Sequence, residues 1–523
     1  MLTVSALVVG IYIGYATERG SRTAGSNSSN SISDYKLNAI WELVDRHYVD
    51  PLDGDSVMDK VYAAILSTLD PHSIYLSQQM LKRENEMLRG NFEGVGIVIR
   101  MRNDTVCASQ IIPGGPSEQA GVLAGDRILR VDGQDISGVG ISSDSAVTLL
   151  RGRRKSVADL LVYRPSENKT HIIKVVRNII STPSLTYSGM LDASTGYIRL
   201  GRFGETTYEE FCDAVKELKS KGMKRMLLDL RGNSGGLLSA AVGICDELLP
   251  GKEMIVYTEG THDRRKETHS SPGGLFCKGD LTVIIDEYSA SASEIVSGAV
   301  QDNDRGTIVG RRSFGKGLVQ QQFPLPDKSA VQLTIARYYT PSGRCIQRPY
   351  DKGTDEYYND FLNQVISEYG NGGDSLLSQI TDSTPYYTSK GRVVYGGGGI
   401  LPDRIIHYKT EPNIAYYNML VSKAVIADYT FDYVSRNIVN LRKQYPDEKQ
   451  FIRNFRTDDK MLQELVSYGE SKGLKADKEC LRLYDRELRA RVKAEIGDML
   501  FTTSTFYAIM TPFDPELKEA LKK

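Results

Sequence analysis

Ser289-Ala290-Ser291-Ala292-Ser293-Glu294 follows the apolar run Leu281-Thr282-Val283-Ile284-Ile285-Asp286-Glu287 and opens a stretch of helical pattern. A serine at that junction sits at the positive end of a helix dipole, beside N–H groups with no partner inside the helix. Such a serine suits nucleophilic attack. The same Ser291-x-x-Glu294 spacing also makes a capping box, which needs no catalysis. Lys316 lies between Gly315 and Gly317, where backbone can pack closely on a neighbour. A lysine serves as general base only when neutral, so burial must bring its pKa down from about 10.4. On an exposed loop it would do no such work. Gln320, four residues on, carries an amide able to orient the amine or simply to face solvent.

Asp229-Leu-Arg-Gly-Asn-Ser234-Gly235-Gly236 follows the apolar run Met226 to Leu228. Paired glycines let backbone N–H groups point into a site, as an oxyanion hole requires. The segment also fits G-x-S-x-G, which would make Ser234 a nucleophile with a histidine partner. The histidines are 47, 72, 171, 262, 269 and 407, and none lies in a segment suited to that role. The last special stretch is Phe92-Glu93-Gly94-Val95-Gly96-Ile97. Alternating glycines before a strand expose amides able to hold a terminal carboxylate, and the strand edge can pair with an extended peptide. Ile111-Ile-Pro-Gly-Gly-Pro-Ser-Glu-Gln-Ala-Gly121 and Gly125-Asp126 to Asp132-Gly133 supply the turns that go with it.

The elements that must position these residues follow from periodicity. Residues 34–90 read as helical, with Ile40, Leu43, Val44 and Tyr48, then Val57, Val61, Ile65 and Leu66 on one face. From Asn91 to Arg177 short β-branched runs alternate with Gly and Asn, as strands and turns do. Between about 181 and 350 strand and helix alternate, implying a layered βα core. Beyond about 412 the chain is strongly helical and charged, and no internal repeat is present.

The chain has 523 residues, 40% of them apolar and 25% charged, enough for several folded domains. Sixty-five basic and 66 acidic residues leave a net charge of −1, and the cluster Arg151, Arg153, Arg154, Lys155 is too short for a nucleic-acid stripe. Cysteines 107, 212, 245, 277, 345 and 480 are far apart with no CxxC, which excludes a metal knuckle and a dense disulfide scaffold. Isolated thiols are expected. Residues 1–17 are uncharged and mostly apolar, about the minimum span of a bilayer. The polar stretch 18–33 reads as a flexible tether. An uncleaved anchor is expected here, with the bulk of the chain on the extracytoplasmic, periplasmic side.

Taken together, LDPHSIYL at 69–76, the Gly94 to Gly133 turns, DLRGNSGG at 229–236, SASASE at 289–294, FGKG at 314–317, YYTPSGR at 338–344 and GGGGILPD at 396–403 resemble the carboxy-terminal processing peptidases, or tail-specific proteases. Agreement of the whole ordered series by chance is negligible. The resemblance, over residues 37 to 405, implies a multidomain α/β fold: a crotonase/ClpP-like βα protease core with an inserted PDZ domain. Together with the composition of the two ends, it divides the chain into a membrane anchor or signal segment (1–17), a flexible tether (18–33), a helical region (34–90), a PDZ domain (91–177), a protease core (178–410, with an insertion at 351–392) and a helical tail (411–523) that lies outside the resemblance.

The resemblance makes Ser291 the nucleophile, Lys316 the base 25 residues on and Gln320 the residue that positions the amine. It gives the oxyanion hole to the N–H groups of Ala292 and Gly236, with Gly235 second, and peptide binding to Gly94, Val95, Gly96 and Ile97. The implied chemistry is acyl transfer without metal or other cofactor, on protein substrates with apolar C-termini. Competing readings are a silent PDZ scaffold, a trypsin-like PDZ protease using Ser234 and a crotonase-type acyl-CoA enzyme. The complete Ser291, Lys316, Gln320 set argues against the first. The PDZ domain preceding the core argues against the second, and peptide-directed modules against the third. The tail fits a cap, an oligomerisation element or a docking surface for an adaptor or activating partner.

Overall fold

The computed structural model describes residues 30–370, 382–407, 411 and 413–522. The expected anchor at 1–17 lies outside them. The chain forms two compact units, Met1–Leu66 and Ser67–Lys523. In the first, helices Asn30–His47 and Gly54–Ser67 are joined by a turn, and Gly54 lies so close to the Trp41 ring that a Cβ would stand 3.3 Å from it. The first helix begins at Asn30, inside the stretch 18–33 expected to be a tether. No helix among the described residues is long and apolar enough to cross a membrane.

A six-stranded sheet organises the second unit, in the order 185–190, 195–200, 225–229, 280–285, 307–310, 404–405. The first pair is antiparallel and the rest are parallel. Its strands read as continuous apolar runs because both faces are covered. Ile198, Met226, Leu228, Val283, Ile285 and Ile308 face helices Thr207–Ser220, Leu238–Leu248 and Ala292–Asp302. The alternate residues Tyr197, Leu227, Ile284 and Val309 face the other way, onto Leu517 and Ala520 of the helix Pro515–Leu521. That helix belongs to the expected tail, yet it closes the protease core.

A second sheet follows the loop that holds Lys316. Ala330–Tyr339 pairs with Leu318–Pro324, with Met254–Glu259 and with Ile74–Leu76. The last pairing corrects the expectation of helix throughout 34–90: Asp70 to Leu76 is a turn and an edge strand of the catalytic unit. The reason is long-range, since Ile74 pairs with Gln332. The expected insertion, 351–392, holds the helix Thr354–Gly370 and the strand Asp382–Tyr387.

The module at 91–177 is a sheet of strands 97–102, 105–111, 127–131, 157–164 and 169–176 with helices Pro116–Ala120 and Ser143–Leu150 around its own core. Asn91–Gly94 pairs with Asn178–Ser181 where the chain enters and leaves it. Helices between Ala415 and Met510 cover the outer face of this sheet. Cys107 and Ala124 join their apolar cluster, and Arg100 and Arg102 pair with Asp428 and Asp432 at 2.6 Å. A Cβ on Gly125 would stand 2.5 Å from Ser435 Cα. All six cysteines are free.

Candidate active site

Ser291 ends the turn after strand 280–285 and precedes the helix Ala292–Asp302, every residue of which is buried. Its φ of 54° and ψ of −111° lie in a region L-residues rarely occupy, a local backbone strain. Lys316 lies in the loop between strands 307–310 and 318–324.

One carboxylate joins the two segments. Glu294, fully buried, accepts the Ser291 N–H (2.8 Å) and the Lys316 N–H (2.9 Å) on Oε2. On Oε1 it accepts the Gly315 N–H (2.7 Å) and the Ser313 hydroxyl (2.6 Å). On the other side, the Tyr338 hydroxyl stands 3.1 Å from the Ser291 carbonyl and 2.5 Å from that of Lys316. Burial pushes the Glu294 carboxyl up to about 7, against the four donors that pull it down. Burial also lowers the Lys316 amine, partly offset by the charges of Glu294, Glu84 and Asp70.

These contacts join backbone to backbone. Ser291 Oγ and Lys316 Nζ are not hydrogen-bonded to each other, a common state of sites awaiting substrate. Gln320 is not hydrogen-bonded to the amine either. Its Nε2 donates to Thr334 Oγ1 (3.3 Å), and Thr334 donates to Asp70 (3.2 Å). Asp70 also accepts the His72 and Ser73 N–H groups and the Ser73 hydroxyl. His72 Nε2 lies 3.0 Å from the Tyr357 hydroxyl. Burial, then the nearby Lys316 charge, lowers His72 to about 4, so it adds no cation beside Lys316 near neutral pH. Phe314 packs on Phe361 of the helix Thr354–Gly370, with ring centroids 4.8 Å apart.

The residues expected to form the oxyanion hole divide by their hydrogen bonds. The Gly235 N–H donates to Asn233 Oδ1 (2.9 Å) and is therefore engaged. Phe203 bonds the Gly235 carbonyl and the Leu237 N–H, and neither bond uses the Gly236 N–H. At Gly235, φ is 102° and a Cβ would fall 2.8 Å from Ser291 Cβ, so the loop's approach to Ser291 demands glycine. The Asn233 carbonyl holds this loop to the Ala290 N–H (3.0 Å) and the Ser293 hydroxyl (2.8 Å). Ala292 supplies the first amide of the helix. Ser234 is exposed, and no hydrogen bond among the described residues links it to a histidine.

In the binding module, the Val95 carbonyl accepts from Ser117 N–H and that of Gly96 from Ile112 N–H. Gly94 is paired with Asn178 and bridged to Arg151, and Gly96 turns the chain at φ 79° into the strand Ile97–Arg102. That strand is the sheet's edge.

The model of peptidase family S41 matches residues 194–355, and a PDZ-domain model matches 108–164. The carboxy-terminal-processing protease of Bartonella bacilliformis is 38% identical over 329 residues, 61% of this chain and 75% of that protein. The chain belongs to the carboxy-terminal processing peptidases of family S41. Carboxy-terminal processing protease CtpB of Bacillus subtilis is 30% identical over 62% of this chain and 68% of its own. Among solved structures, a photosystem II D1 C-terminal processing protease is 29% identical over 58% of this chain and 87% of its own, with a TM-score of 0.33. Residues 416–502 match a family of unknown function.

This carboxy-terminal processing peptidase is thus a serine peptidase with an S41 core and a PDZ domain. Its sequence announces Ser291 and Lys316 by motif. Glu294 is legible there only as a cap, and Tyr338 and His72 only as letters of YYTPSGR and LDPHSIYL. The signal that singles them out is the run of buried polar contacts around two segments far apart in sequence.

Proposed function

We propose that this peptidase cleaves proteins by acyl transfer, with Ser291 as nucleophile and Lys316 as the neutral base. Lys316 takes the Ser291 Oγ proton as the oxygen attacks the scissile carbonyl, and the amides of Ala292 and Gly236 receive the developing oxyanion. Lys316 then protonates the leaving amine, and water frees the acyl group from Ser291. One observation supports the reading best: Glu294 Oε2 binds the N–H groups of both Ser291 and Lys316, which holds the two backbones side by side. The lowered pKa of the lysine suits its role. The PDZ domain would take an apolar substrate C-terminus along the edge strand Ile97–Arg102, its carboxylate on the Gly94–Ile97 turn. Residues 1–17 would hold the enzyme to the membrane on the extracytoplasmic side.

The test is cleavage of an unfolded protein with an apolar C-terminus. Ser291→Ala and Lys316→Ala should lose roughly 10³-fold or more in kcat, as removal of a nucleophile or base does. Ser234→Ala should stay within about threefold, since surface changes outside such sites are mild. A dead Ser234→Ala beside an active Ser291→Ala would reverse the assignment.

A further inference from the structure

Two arginines lie behind the reaction centre. Arg231 belongs to the glycine loop Asp229 to Gly236, and its Nε and Nη2 donate to the fully buried Asp229. Its other contacts leave the catalytic core. Nη1 donates to Glu516 Oε2 at 2.6 Å and Nη2 to Asp514 Oδ2 at 2.7 Å. Arg311 begins the loop that carries Lys316, and its N–H donates to the Ile285 carbonyl. Its Nε donates to Glu287, four residues before Ser291, and its Nη1 to Glu516 Oε1.

The two oxygens of Glu516 therefore hold the arginines that serve all three catalytic loops: oxyanion, nucleophile and base. The helix bearing Glu516 is itself fixed. Asp514 caps it, accepting the Glu516 and Leu517 N–H groups. Arg225 and Arg404 donate to carbonyls between Glu519 and Lys522 at its end. Leu517 and Ala520 are buried under the sheet. The arginine side chains are 10% and 5% exposed, so loss of the Glu516 charge would leave each buried cation with one carboxylate partner fewer and free to shift the loop it serves.

We infer that Glu516, with Asp514 beside it, is a positioning residue for the S41 reaction. It sets the distance between the oxyanion amides and the Ser291–Lys316 pair, although it never meets substrate. The inference rests on the Ser291–Lys316 reading above. It also makes the terminal helix part of the catalytic apparatus rather than an appendage.

The experiment compares kcat and KM of the full chain with Glu516→Gln, Glu516→Ala, Glu516→Asp and Ser291→Ala, beside melting temperature and circular dichroism. Glu516→Gln keeps shape and drops the charge, so it decides the case if Glu516→Ala does not fold. The expected result is a kcat about tenfold or more lower in Glu516→Gln with KM within about twofold, because sub-ångström misplacement of oxyanion donors costs catalysis and spares binding. Glu516→Asp, which restores the charge, should recover part of the loss. An unchanged kcat in folded Glu516→Gln, with Ser291→Ala dead, overturns the inference alone. Activity surviving in Ser291→Ala overturns the reading beneath it, and the inference with it.

Discussion

Glu294 and Tyr338 grip the same two residues from opposite polarities: the carboxylate takes the N–H groups of Ser291 and Lys316, and the phenol shares its proton between their carbonyls. The backbones of Ser291 and Lys316 are thus each tied through both the N–H and the carbonyl. Their spacing is set by covalent geometry and four hydrogen bonds rather than by either side chain.

Glu294→Gln tests that tie. Glutamine keeps the volume and one acceptor but turns an N–H₂ toward donors, so at least one backbone amide loses its partner. The kcat should fall roughly 10- to 100-fold, in line with a buried bond to a charged group worth about 1.5–3 kcal/mol. The Glu294 charge raises the Lys316 pKa, so its removal should move the acid limb of kcat/KM to lower pH. A pH–rate profile of the two enzymes checks both.

Lys316→Met should abolish cleavage and raise the melting temperature at pH 7. Burial lowers the amine's pKa despite three nearby carboxylates, so the charged form is disfavoured in the fold. A thioether of similar length removes that cost and fills the same space. Differential scanning calorimetry at pH 7 reads the shift, and a lower melting temperature would mean the charge is compensated.

Two groups, half-buried His72 and buried Glu294, tilt stability with pH in opposite senses. His72 falls from 6.5 to about 4, so between those values the folded chain holds fewer protons than the unfolded one and its contribution to stability rises with pH. Glu294 climbs from 4.5 to about 7, so its contribution is complete below 4.5 and lost as pH rises to 7. In denaturant titrations from pH 4 to 7.5, His72→Gln should flatten the rising part and Glu294→Gln the falling part.

Gly125→Ala addresses the seat of the PDZ domain. The residue sits at φ 91°, and a methyl group there would meet Ser435 Cα at 2.5 Å. The substitution should cost about 1–3 kcal/mol through overpacking and left-handed strain. Hydrogen exchange should quicken in the helix Val425–Gln444, while cleavage of short peptides that bypass the PDZ should change little.

What the sequence discloses and what it hides divide along range. Ser291 and Lys316 stand in motifs whose residues are neighbours in the chain. Glu294 looks like a cap because its Ser291 contact is three residues away, whereas Ser313, Gly315 and Lys316 arrive 19 to 22 residues later. The helix Ala292–Asp302 is buried on every side and offers no polar stripe to phase. Ile74–Leu76 is only three residues long and pairs with strand 330–339, so nothing local marks it as a strand. The role of Asp514 and Glu516 depends on Arg231 and Arg311, some two hundred residues and more earlier, and no local pattern carries that information.

The seating of the PDZ sheet on the helices after Ala415 has a mechanical consequence. The PDZ domain is joined covalently to the core at both ends, through Asn91–Gly94 and Asn178–Ser181. Its far side rests on a segment whose chain runs back into that same core at Pro515–Leu521. The three bodies form a closed linkage, in which a rotation at one joint must be matched at the others. Arg100–Asp428 and Arg102–Asp432 add charge pairs to that apolar joint, so the ionic strength of the medium helps set how freely the whole linkage turns.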